Sequence, residues 1–509
     1  MKLKPIHILL TVSAIVVLIC AYFDKNLYID EIFAFGESNS KSVVLFLGND
    51  YLDISYTPEQ AKDYLEVSGN ERFNYFLPYY SASNDNHPPM FFYMIHTVSS
   101  LFPDSYSKWY GVAVEFPFYI ATIFLLYRLS RRVFKSKNKA LLCAFLYAFS
   151  PFGLWNALII RMYQPLTFFI LLVVYAATMY YKTYKTKYLL YYAIGIFYSG
   201  MLHYSAYFFN FFLTLFVCLV FLTNKQIKRT LSFGISAVIG VLLACAAWAY
   251  TILQFTYTTT IRENWQNRTA EARENITRVF TDPLLYIVLI AAVLFVIYRK
   301  KFKGVSVIIV CALLSAGVAS IFINSMYVMH APRYYFFIIP VVLFGAMYFI
   351  PNRVLNLSRA IALTLSVVFA AVSIGYVALQ DEYKAYNFRT YFNQGAMSEQ
   401  IRGKSVIVAV PVNDPSNYNN AYFRDLIYIL SLFNADYTSV TGLYLPPDQL
   451  QTRLAEEIAL RRADNTPFVV IGLENLTYTE QIPSLDKYTT LEKSACVVKG
   501  WKATYVFYS

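Results

Sequence analysis

The chain has 509 residues, of which 57% are hydrophobic, 18% aromatic and 15% charged. Soluble domains carry about 25% charged residues, so a soluble enzyme is excluded. The net charge of +12 is unevenly placed: residues 381–509 hold 12 basic and 14 acidic side chains, leaving 31 and 17 for residues 1–380. A basic excess confined to the most apolar part points to membrane topology rather than to nucleic-acid binding.

Apolar stretches long enough to cross about 30 Å of hydrocarbon fall at about 6–23, 110–127, 140–159, 163–181, 188–203, 205–222, 231–254, 283–298, 305–323, 334–350 and 360–379. The first follows Lys2 and Lys4 and has no A-x-A site after it, which favours an uncleaved span over a signal peptide. With the amino terminus in the cytoplasm, the inner segments 1–5, 128–139, 182–187, 225–229, 299–303 and 353–359 hold 20 basic residues and no Asp or Glu. That asymmetry places loop 24–109 and the tail 381–509 outside the cytoplasm. The expected fold is a polytopic α-helical membrane protein of about 11 transmembrane helices (residues 1–380) followed by a small extracytoplasmic α/β domain (381–509). Strands are expected at Ser405–Val410 and Phe468–Gly472, and helices near Tyr418–Phe433 and Gln449–Arg462. Five of the six cysteines lie inside apolar runs and no CxxC pair occurs, so neither a disulfide framework nor a Cys-based zinc site is expected.

Loop 24–109 carries 12 acidic and five basic residues. It contains a short apolar piece, Pro88–Phe102, read as a helix that lies at the interface or re-enters from outside. The second outer loop, 255–282, balances four Arg against four acids and reads as a solvated helix.

Two clusters in the first outer loop carry chemistry. Where the first span ends, Tyr28-Ile29-Asp30-Glu31-Ile32-Phe33 sets two adjacent carboxylates at the membrane surface. Such a pair is either an interfacial charge pair or the source of a general base that takes a proton from an acceptor hydroxyl. Further on, Asn84-Asp85-Asn86-His87-Pro88-Pro89-Met90 puts a histidine beside an acid, just before a helix that two prolines are suited to start. The unpaired N–H groups of a helix start attract anions, which makes His87 a phosphate-ligand candidate rather than merely a surface residue.

The acid pair after span one, the long first outer loop and the H-P-P-hydrophobic-aromatic segment ending it resemble the GT-C-type membrane glycosyltransferases, specifically the protein O-mannosyltransferase and aminoarabinose transferase group. The resemblance covers about residues 1–380. It implies that Asp30 is the catalytic base with Glu31 its neighbour, that His87 is a donor contact and Asp85 a second acid, and that the donor is a polyprenyl-phosphate sugar used on the outer side of the membrane. One departure stands out: where relatives often have Arg-hydrophobic-Pro early in span two, this chain has Glu115-Phe116-Pro117. A buried acid needs a partner, and the sequence assigns none.

Bases at outer span ends complete the candidates: Arg161-Met162-Tyr163, His203-Tyr204 and His330-Ala331-Pro332-Arg333-Tyr334-Tyr335. Each either snorkels to head groups or stabilises a departing lipid phosphate, for which Arg offers bidentate hydrogen bonding. Donor phosphate or sugar contacts are thus expected from His87, Arg161, Tyr163, His203, His330 and Arg333. No cofactor or metal site is required, although the acidic loop leaves a divalent cation open. The expected partners are the lipid-linked donor, a lipid, glycan or protein acceptor and membrane lipids. The expected location is a bacterial plasma membrane. A lipid-linked sugar flippase is the rival from another class, and a non-catalytic envelope-glycan assembly subunit is the second; the flippase predicts charges inside the spans and repeat symmetry, neither of which dominates here.

Overall fold

The computed structural model describes residues 4–23, 29–40, 53–83, 85, 87–250, 304–326, 332–351, 359–379, 400–412, 437–474, 485–499 and 504–508, with scattered positions between 277 and 293. The chain divides into two compact units: Met1–Asp24, Ala82–Met94 and Trp109–Leu379 form the first, and Lys25–Ser81, Ile95–Lys108 and Gln380–Ser509 form the second.

The first unit is helical and makes this a multi-pass membrane protein. Its helices are α1 (Pro5–Phe23), α6 (Lys108–Phe134), α7 (Lys137–Ala148), α8 (Pro151–Leu158), α9 (Tyr163–Thr183), α10 (Lys187–Leu202), α11 (Ser205–Thr223), α12 (Ile227–Ala247), α13 (Ser306–Met326), α14 (Ile339–Phe349) and α15 (Arg359–Leu379). Among the described residues six of these (α1, α6, α9, α11, α12 and α13) are long and apolar enough to cross a membrane, and α7 with α8 makes a seventh if the pair, bent by 55°, is one span. The bend has a local cause: Ser150 caps α8 by accepting from Gly153 N–H at 3.0 Å, and Pro151 opens the helix. Helices also stand where spans were read at 188–203, 334–350 and 360–379, whereas the stretch 283–298 and the helix expected within 255–282 lie largely outside the described residues.

Inside this apolar unit the polar groups pair with one another. Tyr147 Oη donates to Gln164 Oε1 at 3.1 Å, Gln164 Nε2 donates to Thr122 Oγ1 at 3.0 Å, and Asn156 Nδ2 donates to Thr167 Oγ1 at 2.8 Å. Such bonds tie spans together where no water can compete.

The second unit holds α2 (Ile29–Asn39), β1 (Asp53–Tyr56), α3 (Pro58–Asp63), α4 (Phe76–Ser83) and the carboxy-terminal part of α5 (Met90–Ser99). It continues with β2 (Ser405–Pro411), β3 (Ser439–Leu445), α16 (Pro447–Ala463), β4 (Phe468–Glu474), β5 (Lys493–Lys499) and β6 (Thr504–Tyr508). Six strands form one sheet in the order β1-β3-β2-β4-β6-β5. The three central strands are parallel, with Ser405 facing Ser439 and Phe468, and the outer pairs are antiparallel. Leu450, Leu454 and Ile458 of α16 pack with Ile407, Leu443 and Val470 in the core. The strands near 405–410 and 468–472 and the helix near 449–462 stand where the sequence suggested, and the helix expected near Tyr418–Phe433 lies outside the described residues. The edge strand β1 comes from loop 24–109, Ile54 pairing with Gly442.

Candidate active site

In the second unit the acid pair opens α2. Asp30 and Glu31 sit in its first turn, where the helix dipole favours negative charge. Glu31 is buried and Asp30 half-buried, so of the two carboxylates Asp30 is the one a solvent-borne hydroxyl can reach. The helix is held rigidly: Ile32, Ala34 and Phe35 are buried, and Asn39 Nδ2 donates to Leu65 O at 2.7 Å and to Ser99 Oγ at 3.1 Å. Gly36 is required, because a Cβ there would stand 1.8 Å from Tyr64 Cζ. Tyr106 joins the cluster: its ring meets Phe35 edge-on at 5.1 Å, burial pushes its phenol well above the usual range, and the Glu31 charge adds to the shift. No motif marks Tyr106, one of 46 tyrosines, as different from the rest.

In the first unit a second constellation gathers residues far apart in sequence. His87 Nδ1 and Asp85 Oδ2 are 2.6 Å apart, and since an ionised carboxylate only accepts, the ring donates from Nδ1. The His87 and His203 ring centroids are 5.9 Å apart. His203 lies in the turn between α10 and α11, outside both helices. Ser205 N–H donates to its Nδ1 at 3.2 Å, which leaves the proton of the neutral ring on Nε2 as a donor. Burial holds the His203 pKa well below the usual imidazole range, and the nearby His87, Arg161 and Arg333 act in the same direction. Tyr163 and Tyr334 flank the ring at 5.8 Å and 6.2 Å, and the Arg333 guanidinium lies 5.4 Å from the Tyr334 centroid.

Arg161, 5% exposed, is held by its neighbours in the turn between α8 and α9. Its N–H donates to Ile159 O at 2.9 Å, and Ile160 beside it packs on Gly111 of α6. The structure thus brings His87, Asp85, Arg161, Tyr163, His203 and Arg333 within one unit, while Asp30 and Glu31 belong to the other. His330 lies outside the described residues. Glu115 is buried on α6. Among the described residues no group of three or more His, Cys, Asp or Glu side chains is arranged to hold a metal ion.

Arg161, Arg333, His87 and His203 thus gather close to one another in this unit. Residues 86–250 match the family model of dolichyl-phosphate-mannose-protein mannosyltransferase. The match covers about a third of the chain and includes His87, Arg161, Tyr163 and His203; Asp30, Glu31, Asp85 and Arg333 fall outside it. The mannosyltransferase resemblance carried by the H-P-P segment is supported over this stretch. Two crystal structures of ArnT from Cupriavidus metallidurans are also similar to the chain. The one bound to undecaprenyl phosphate shares 12% identity at a TM-score of 0.46, covering 98% of this chain and 97% of that one. The apo form shares 12% at 0.40, covering 94% and 96%. No curated protein matches the chain.

Proposed function

We propose that this protein is an extracytoplasmic-facing membrane glycosyltransferase that moves a sugar from a polyprenyl-phosphate donor to an acceptor hydroxyl. The observation that carries the reading is the convergence of Arg161, Arg333, His87 and His203 on one buried turn, within the unit that carries the mannosyltransferase-family match. The amino terminus is cytoplasmic and the tail extracytoplasmic, on the strength of 20 basic residues without a single acid in the inner segments; a bacterial plasma membrane as host belongs to the same reading. The eleven-span topology and the division at about residue 380 belong to the same reading.

The chemistry follows from the groups present. Asp30 takes the proton from the acceptor hydroxyl as its oxygen bonds to the anomeric carbon. The bond from that carbon to the phosphate oxygen breaks on the opposite face, and a single displacement inverts the configuration. The leaving lipid phosphate gains charge, which Arg161 and Arg333 meet with planar paired donors and His203 with Nε2–H, while Asp85 orients the His87 ring beside them. A monophosphate leaving group stabilised in this way needs no metal.

The test is release of sugar from radiolabelled undecaprenyl-phosphate sugars by purified protein, with Asp30→Asn alongside. Loss of a positioned base lowers turnover by about 10²–10⁴-fold while donor binding persists. Equal turnover by both proteins removes Asp30 from the mechanism. Donor binding without turnover in the wild type favours a flippase.

A further inference from the structure

Loop 24–109 carries 12 acidic residues, yet the stretches 72–84 and 86–103 within it contain none. The structure stitches these two stretches together. Arg72 Nε donates to Ser100 O at 2.8 Å, Phe73 N–H donates to Ser100 Oγ at 2.9 Å, and Tyr75 Oη lies 3.0 Å from Thr97 Oγ1. The turn after α5 is closed by Asp104, whose N–H donates to Val67 O at 2.8 Å and whose Oδ1 accepts from Gly69 N–H at 3.0 Å.

This paired segment presents an apolar exterior. Phe73, Tyr75, Phe76, Tyr80, Leu101 and Phe102 are all exposed, Phe76 by 65%, and the Phe76 and Tyr80 rings are 6.1 Å apart. The body of α5 does not supply the face, because Phe91, Phe92 and Ile95 are fully buried. Only the residues that follow the helix do, together with the segment 73–80.

We infer that this aromatic face docks into the boundary between head groups and acyl chains of the outer leaflet. Chain continuity supports a lipid occupant: Phe102 precedes Lys108, the first residue of the membrane-crossing helix α6, by six residues, a reach of at most about 20 Å. Composition supports it as well. Phenylalanine with tyrosine, and an arginine at the rim, is what an interface selects: apolar bodies with polar tips, and a cation able to reach phosphate. The exclusion of acids from this face, in a loop otherwise rich in them, fits an anionic lipid surface. Six large apolar side chains left to water would be an aggregation liability.

The inference is independent of the transferase reading and is tested without turnover. An environment-sensitive fluorescent amino acid is placed at position 76 or 102 of the full chain, or at exposed Glu456 of α16 as the water-facing reference. The proteins are reconstituted in vesicles of phosphatidylethanolamine and phosphatidylglycerol. Lipids with a nitroxide near the head group are expected to quench positions 76 and 102 and spare 456, and aqueous iodide to do the reverse. Iodide quenching at 76 and 102 equal to that at 456 overturns the inference by showing a solvent-facing surface. Protection from both quenchers also overturns it, because the face is then covered by protein, such as a second copy of the chain.

Discussion

Substituting Gly111 by alanine tests whether the turn that carries Arg161 belongs to the catalytic machinery. A Cβ at this position would stand 2.3 Å from Ile160 Cγ2, 2.8 Å from Cδ1 and 2.9 Å from Cγ1, where ordinary contact begins at 3.4 Å. Relief of the closest clash therefore needs a movement of 3.4 − 2.3 = 1.1 Å. Ile160 is 3% exposed and bonded directly to Arg161, so the displacement passes along the turn. Overpacking costs about 1–3 kcal/mol, offset by about 1 kcal/mol from the helix preference of alanine, so the net stability loss is about 0–2 kcal/mol. Misplacing a positioning group by about 1 Å costs up to about 10²-fold in rate. Gly111→Ala is thus expected to lower donor turnover far more than it lowers thermal stability, both read on the purified protein in detergent. The double variant Gly111→Ala/Ile160→Ala removes all three clashing carbons and should restore most of the turnover. Turnover that tracks the folded fraction alone, or a double variant no better than the single, refutes the placement of Arg161 in the site.

Two more outcomes follow from the structure. The His203 pKa is depressed by burial, so its neutral ring offers Nε2–H to an anion without taking up a proton. Affinity for a polyprenyl-phosphate sugar should therefore owe none of its pH dependence above about pH 7 to His203, and should fall in His203→Phe, which removes the donor. Unchanged affinity in His203→Phe rules out contact between His203 and the anion. Against the sheet, Arg461 of α16 is 8% exposed; its guanidinium donates to Thr441 Oγ1 at 2.8 Å and Ser405 Oγ at 3.2 Å and pairs with Glu457. Breaking a buried pair costs about 3–5 kcal/mol, reduced here to about 2–3 kcal/mol because Glu457 keeps Arg453 at 3.2 Å. Arg461→Met should bring forward proteolysis of region 437–508 on heating, and an unchanged cleavage temperature refutes a stabilising role.

The sequence made legible what a local pattern encodes. Apolar runs bounded by basic turns specify helices, because a span must bury its backbone polar groups within itself and inner loops collect Lys and Arg. The strand β2 and the helix α16 are visible for the same reason: a β-branched run and a 3.6-residue repeat are properties of contiguous residues. The edge strand β1 is not visible. Asp53-Ile54-Ser55-Tyr56 is short and half polar, and its strand character comes from pairing with Thr441 and its neighbours nearly four hundred residues later. A preference exerted across that distance leaves no trace in a local window.

The candidate site divides along the same line. His87 could be singled out because Pro88 and Pro89 follow it, and Arg161, His203 and Arg333 because they stand at span ends on the side expected to be poorer in positive charge. Their common destination could not be read, since it depends on the Gly111–Ile160 approach and on the Ser205 bond that fixes the His203 tautomer. Both are packing facts with no sequence period. Tyr106 shows the limit most plainly: its shifted phenol is produced by burial beside Glu31, 75 residues earlier in the chain. The pairing of β1 with β3 also has a mechanical consequence for loop 24–109. The four residue pairs joining these strands, and Ser55 Oγ at 3.1 Å from Thr441 Oγ1, tie the loop that bears Asp30 to the sheet that Arg461 braces. Weakening that sheet should therefore reduce the order of the first loop without touching a catalytic group.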